Sequence, residues 1–107
     1  NLDFVRKKIS EDTDMQIVIG GMYKENEITG IDKEVEMCIK NHKSIFLLGG
    51  FGFKAKLLCK KYINKESYEK LNNGLSLREN IILANSYEIK NILYLIFKGW
   101  SKVVSSK

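Results

Sequence analysis

The sequence predicts an α/β chain. It reads as a Rossmann-like three-layer unit, with parallel strands near 15–19 and 44–48 and flanking helices, that forms part of a larger sheet. Three observations carry this reading. The runs Ile17-Val18-Ile19 and Ile45-Phe46-Leu47-Leu48 are short and continuously apolar, the pattern of strands buried on both faces. Each run stops at glycines, Gly20-Gly21 and Gly49-Gly50-Phe51-Gly52. Each is followed by a segment with helical period. Strand, helix, strand, helix implies a right-handed parallel crossover. Two parallel strands alone do not make a stable sheet. Further strands are therefore expected, from sequence ahead of Asn1 or from a second copy, with the first preferred. The chain is then a single Rossmann-like domain over residues 1–107, or the C-terminal half of one.

Taken in order, residues 2 to 11 have helical spacing, with Leu2, Val5 and Ile9 on one side and Arg6, Lys7 and Lys8 on the other. A polar turn, Asp12-Thr13-Asp14, leads into the first strand. Residues 22 to 29 show no period and read as a loop. A helix over 31–42 follows, capped by Thr29 or Gly30, with Ile31, Val35, Cys38 and Ile39 on its apolar face. Its acids, Asp32, Glu34 and Glu36, lie in the first turns and its cations at the end, as the helix dipole favours. His42 is most simply a residue of that helix end. The second strand, 44–48, ends at the glycine cluster, and a new helix starts near Phe53. Ser67 to Leu71 is a short helical piece stopped by Asn72-Asn73-Gly74. Ser76 with Glu79 forms a capping box for a helix over 77–84. Ser86 is positioned to cap a last helix over 87–104, whose wide apolar face is expected to be mostly buried.

A length of 107 residues allows one small domain. No apolar run is long enough to span a membrane. The start, Asn1-Leu2-Asp3-Phe4, is neither an initiator Met nor a signal peptide, so preceding sequence is expected. Cys38 and Cys59 lack metal-ligand spacing and His42 is the sole histidine, so no zinc site can be written. Both cysteines read as buried or half-buried, reduced thiols of a cytoplasmic protein. Net charge is +5, and it is uneven. Residues 1–53 hold 7 basic and 9 acidic side chains, whereas residues 54–107 hold 11 and 4. The basic half either attracts phosphates or is a solvated face.

The glycines point to a ligand class. Glycine lets the backbone approach a phosphate, and the first N–H groups of the next helix point at the anion. Gly49, Gly50 and Gly52 before the helix at 53 fit that arrangement, with Lys54 and Lys56 in its first turn. Glycines at strand ends equally serve tight turns. Glu34, one turn into its helix, has three readings: it accepts from a ribose hydroxyl, acts as acid or base at a glycosidic centre, or is a solvated dipole-matched residue. Phe51 either stacks on a base or packs in the core or at the lip of a cleft.

Gly20-Gly21 followed by Gly30-Ile31-Asp32-Lys33-Glu34 resembles the GG…G[TI]xxE signature of the SLOG superfamily. That group includes LOG-type nucleotide phosphoribohydrolases, DprA/Smf proteins, and ligand-sensing domains of TRPM channels and bacterial defence proteins. Lys43 through Gly52 is similar to the KPxxLxGGFGG stretch of bacterial SLOG-like proteins. Leu75 to Asn80, with Phe97-Lys98-Gly99-Trp100, is similar to their C-terminal segment. The resemblance covers nearly the whole chain and the back half of the family's domain. It implies that Gly20, Gly21 and Gly30 shape a phosphate-binding turn, that Gly49, Gly50 and Gly52 line the same cleft, and that Glu34 contacts ribose or acts in hydrolysis. LOG enzymes have a tight PGGxGTxxE; here residues 22–29 intervene, Ile31 replaces the threonine, and the arginine paired with the glutamate has no counterpart.

The leading expectation is a binding module for a nucleotide derivative of the NAD, ADP-ribose or cyclic ADP-ribose type. It would act as a sensor, in bacterial defence or NAD-linked signalling, with no cofactor of its own. The alternative is a nucleotide N-glycosidase using Glu34 as its catalytic group. A purely structural half-domain ranks third. Nucleic-acid binding, suggested by the basic half, ranks last. Tyr94, Phe97 and Trp100 carry more apolar area than a small sheet covers, so self-association or fusion to other domains is expected.

Overall fold

A computed structural model describes residues 15–20 and 30–106. The expected helix over 2–11, the loop over 22–29, Gly21 and Thr29 lie outside the described residues. Strand β1 (Met15–Ile19) pairs in parallel with β2 (Ser44–Leu48), in the register Met15 to Ser44 through Ile19 to Leu48. The connection contains helix α1 (Gly30–Lys40). Helix α2 (Phe53–Tyr62) follows β2, then a single 3₁₀ turn (Tyr68–Leu71), α3 (Leu77–Asn85) and α4 (Ile89–Ser105).

The two faces of the pair are covered by different helices, which makes three layers. Side chains alternate along a strand, and the alternation sorts the core. Val18, Ile45 and Leu47 pack with Val35 and Cys38 of α1 and with Ala55, Leu58, Cys59 and Tyr62 of α2. Phe46 and Leu48 point the other way, onto Leu83 of α3 and Ile92, Leu95 and Ile96 of α4. All five residues of β2 are buried. β1 departs from the expectation of a doubly buried strand. Val18 is buried, but Ile17 is 43% and Ile19 52% exposed. They share the face of Phe46 and Leu48, and α3 and α4 sit over β2 rather than over β1.

Polar groups finish the β2 side. The Asn73 amide donates to the Ile45 carbonyl at 2.8 Å and to Asn80 Oδ1 at 2.7 Å, and Asn73 Oδ1 accepts from the Leu75 N–H. Asn80 in turn donates to the Ser76 carbonyl. Both asparagines are buried, and a buried amide is tolerated where its hydrogen bonds are made. Gly99 of α4 passes directly over this segment: a Cβ there would run into the Asn73 carbonyl and lie 3.0 Å from Leu75 and Phe46. Only a glycine lets the helix come this close.

Helix ends explain the shifts from the expected boundaries. α1 stops at Lys40, not 42, because His42 adopts φ 56° while its N–H bonds the Ile39 carbonyl and that of Lys43 bonds the Cys38 carbonyl. This is a Schellman ending with histidine in the position usually held by glycine, so His42 is a helix-end residue, as expected. The capping box is formed, Ser76 Oγ accepting from the Glu79 N–H and Glu79 Oε1 from the Ser76 N–H. Ser86, however, does not cap the last helix. Its N–H bonds Leu83 and closes α3, Tyr87 follows, and Glu88 is the residue before α4. The face of α4 is also less buried than expected. Ile92, Leu95, Ile96 and Gly99 face the core, whereas Ile89, Leu93, Tyr94, Phe97 and Val104 are exposed.

Candidate functional site

The two strands end side by side, since Ile19 pairs with Leu48, and Gly20 and Gly49 follow them. The second end is built as a tight turn. The Gly52 N–H donates to the Gly49 carbonyl at 3.0 Å, and Gly52 then enters α2 with φ 78° and ψ −152°, a conformation open essentially to glycine. A Cβ on Gly49 would lie 2.8 Å from Cys59 Sγ and 2.9 Å from the Ala84 carbonyl, and one on Gly50 would strike the Ser86 carbonyl. These glycines therefore allow the turn to nest between α2 and the end of α3.

A cleft of about 480 Å³ opens beside this turn. Gly49, Gly50, Phe51 and Gly52 form one wall. α2 contributes Lys56, Cys59 and Lys60, and Ile63 follows directly after it. The end of α3 contributes Ile81, Ala84 and Asn85, and Tyr87 closes the lip. Phe51 and Tyr87 meet edge to face with ring centroids 6.3 Å apart. Lys56 and Lys60, one helical turn apart, supply the charge, and no described lining residue is a carboxylate. Cys59 is 8% exposed. Burial pushes its thiol up to about 11, against a smaller lowering by a hydrogen bond to the Gly49 backbone, so it stays protonated and weakly nucleophilic. Cys38 is likewise buried and free. Burial raises its pKa first, and the Glu34 carboxylate raises it further, against a lowering by Lys43.

The sequence-predicted residues fall into two groups. Gly49, Gly50, Phe51 and Gly52 line the cleft together. Gly20, Gly30, Glu34 and Lys54 do not line it. Gly20, with φ 69°, uses its carbonyl to accept the Ala55 N–H at 2.8 Å, tying the end of β1 to the first turn of α2. Gly30 opens α1, and Glu34 lies half-buried one turn further on. Lys54 is buried and pairs with Asp32 of α1, Nζ to Oδ2 3.0 Å. Its charge holds two helices together on the side of α2 away from the cleft. Lys60, Asn85 and Tyr87 are cleft residues that the sequence did not single out. Helical period offers one signal: positions two apart on a helix point to opposite sides, so Lys54 and Lys56 cannot both face the glycine turn, whereas Lys56 and Lys60 can. Tyr87 has no such local signal.

Among the described residues no helix is long and apolar enough to cross a membrane. Residues 1–62 match the family model described as SLOG cluster2. This span contains both strand–glycine units and ends with α2. No curated protein and no solved structure matches significantly.

Proposed function

The chain belongs to the SLOG superfamily, and on that premise we propose that it binds a nucleotide derivative of the NAD, ADP-ribose or cyclic ADP-ribose type in the cleft beside Gly49–Gly52. The observation that carries the proposal is the meeting, in one cleft, of a tight glycine turn at a helix start, two lysines and an aromatic pair. In this reading the phosphates lie against the turn and draw charge from Lys56 and Lys60. The base packs on Phe51 and Tyr87. Gly20, Gly21, Gly30 and Glu34 belong to the adjoining strand end, where Glu34 meets a ribose hydroxyl. Lys54 serves this site indirectly, through its pair with Asp32. Binding is favoured over hydrolysis because the described cleft lining holds two lysines and no carboxylate, and Glu34, the group the N-glycosidase reading needs, does not line it. The module acts as a cytoplasmic sensor in bacterial defence or NAD-linked signalling, and it is part of a larger Rossmann-like domain. Among the described residues β1 pairs along one edge, with β2, and its other edge is open to a further strand.

A melting screen with NAD, ADP-ribose, cyclic ADP-ribose and AMP tests the reading. A ligand at one hundred times its Kd stabilises the folded state by about 2.7 kcal/mol, which for a domain of this size raises Tm by roughly 10 °C. No shift with any of the four would contradict the proposal. Product analysis in the same samples, for wild type and Glu34→Gln, separates binding from turnover: Glu34-dependent cleavage would replace the sensor reading with the N-glycosidase one.

A further inference from the structure

α4 is apolar on both sides. Its inner side packs on β2 through Ile92, Leu95 and Ile96. On its outer side Leu93, Tyr94, Phe97 and Val104 are 60%, 65%, 75% and 49% exposed. Exposed large apolar side chains gathered along one side of a helix mark an interaction surface. The outer residues are also ordered. Lys90, Tyr94, Phe97, Ser101 and Val104 are spaced four, three, four and three apart, the seam of a helix that packs on another helix.

From this seam we infer that a second copy of the chain docks on it, α4 against α4, antiparallel about a twofold axis. The residues are self-complementary in that direction. In the register centred between Phe97 and Ser101, Phe97 of each copy lies over the small Ser101 of the other, and Tyr94 lies over Val104. Lys90 then falls near the C-terminal end of the opposite α4, where the helix dipole favours a cation. Parallel pairing would instead stack Lys90 on Lys90 and Phe97 on Phe97. The area is consistent with this partner. An aromatic side chain presents roughly 150–250 Å², so Tyr94 and Phe97 together offer about 280 Å² per copy at these exposures. Val104, Leu93 and the stem of Lys90 add to it, which places a pair at the small end of specific interfaces. A contact of this size suits a weak, reversible dimer. The inference does not rest on the nucleotide reading, since the seam residues named here do not line the cleft.

Sedimentation velocity on the purified chain at concentrations from about 1 to 500 µM tests it. The expected result is a monomer–dimer equilibrium that Phe97→Glu abolishes. Phe97 is on the outside of its helix, so this variant should keep its circular-dichroism melt. Adding Ser101→Lys to Phe97→Glu should restore the dimer, because the antiparallel register sets each new carboxylate opposite the other copy's new ammonium. A chain that stays monomeric throughout would overturn the inference and leave the seam to a different protein. A dimer unaffected by Phe97→Glu would overturn it by placing the contact elsewhere. A dimer that the second substitution fails to restore would overturn the antiparallel register.

Discussion

The molecule contains two strand–glycine units that look alike as sequence, Met15–Gly20 and Ser44–Gly49, and the fold uses them differently. β2 is buried along its length, covered by α1 and α2 on one face and by α3 and α4 on the other. Its glycines run straight into a helix and open a cleft. β1 buries Val18 and leaves Ile17 and Ile19 half out, and its terminal glycine is used to hold α2. A continuous apolar run thus reports that a strand can be buried on both faces. Whether it is depends on what the rest of the chain lays over it.

The largest expected effect breaks the symmetry between the units. Phe46→Ala should cost about 3–5 kcal/mol in urea unfolding, because Phe46 is fully buried among α3 and α4 residues. Ile19→Ala, from the same kind of run and on the same face, should cost less than about 1 kcal/mol, since surface substitutions change little. Equal costs would mean that β1 is covered as fully as β2.

Next is the division of labour between the lysines of α2. Lys54→Ala should lower stability by about 2–3 kcal/mol, the range for a hydrogen bond to a charged, desolvated group, because it leaves the buried Asp32 carboxylate without this cation. Lys56→Ala is exposed and should leave the denaturation midpoint nearly unchanged. If the two variants denature alike, the assignment of Lys54 to structure and Lys56 to the cleft fails.

A smaller effect concerns the layer that covers β2. Glu79 on α3 pairs with Lys98 on α4. That contact, with the hydrogen bond from the Ser76 backbone, holds the Glu79 carboxyl down at about 2. A carboxyl lowered on folding stabilises the native state above its unfolded value, near 4.5, and this contribution fades as pH falls toward 2. Tm should fall over that window in wild type and fall less steeply in Glu79→Gln. Parallel pH profiles would show that the pair contributes nothing to holding α3 on α4.

The parts of the fold legible in the sequence were those fixed by local chemistry. Both strands end where their glycines begin, and Ser76-x-x-Glu79 starts its helix because the two side chains satisfy each other's backbone. The glycine turn at 49–52 was legible for the same reason. What could not be read depends on contacts between distant residues. Asp32 and Lys54 each suit a helix start by dipole or by nearness to phosphate, yet they meet across 22 positions and neutralise each other. Asn73 reads as a turn residue and is also a hydrogen-bond donor to β2. Tyr87 becomes part of the cleft only because α3 ends there and the chain turns beside Phe51.

In the proposed function the cleft of the second unit, through Lys56 and Lys60, holds the phosphates of a nucleotide derivative. Isothermal titration with ADP-ribose of wild type and of the Lys56→Ala/Lys60→Ala double variant decides whether it does. Measurable binding by the wild type is expected, with at least a tenfold loss in the variant, about 1.4 kcal/mol, and the same melt for both proteins. Equal affinity in the two would contradict it.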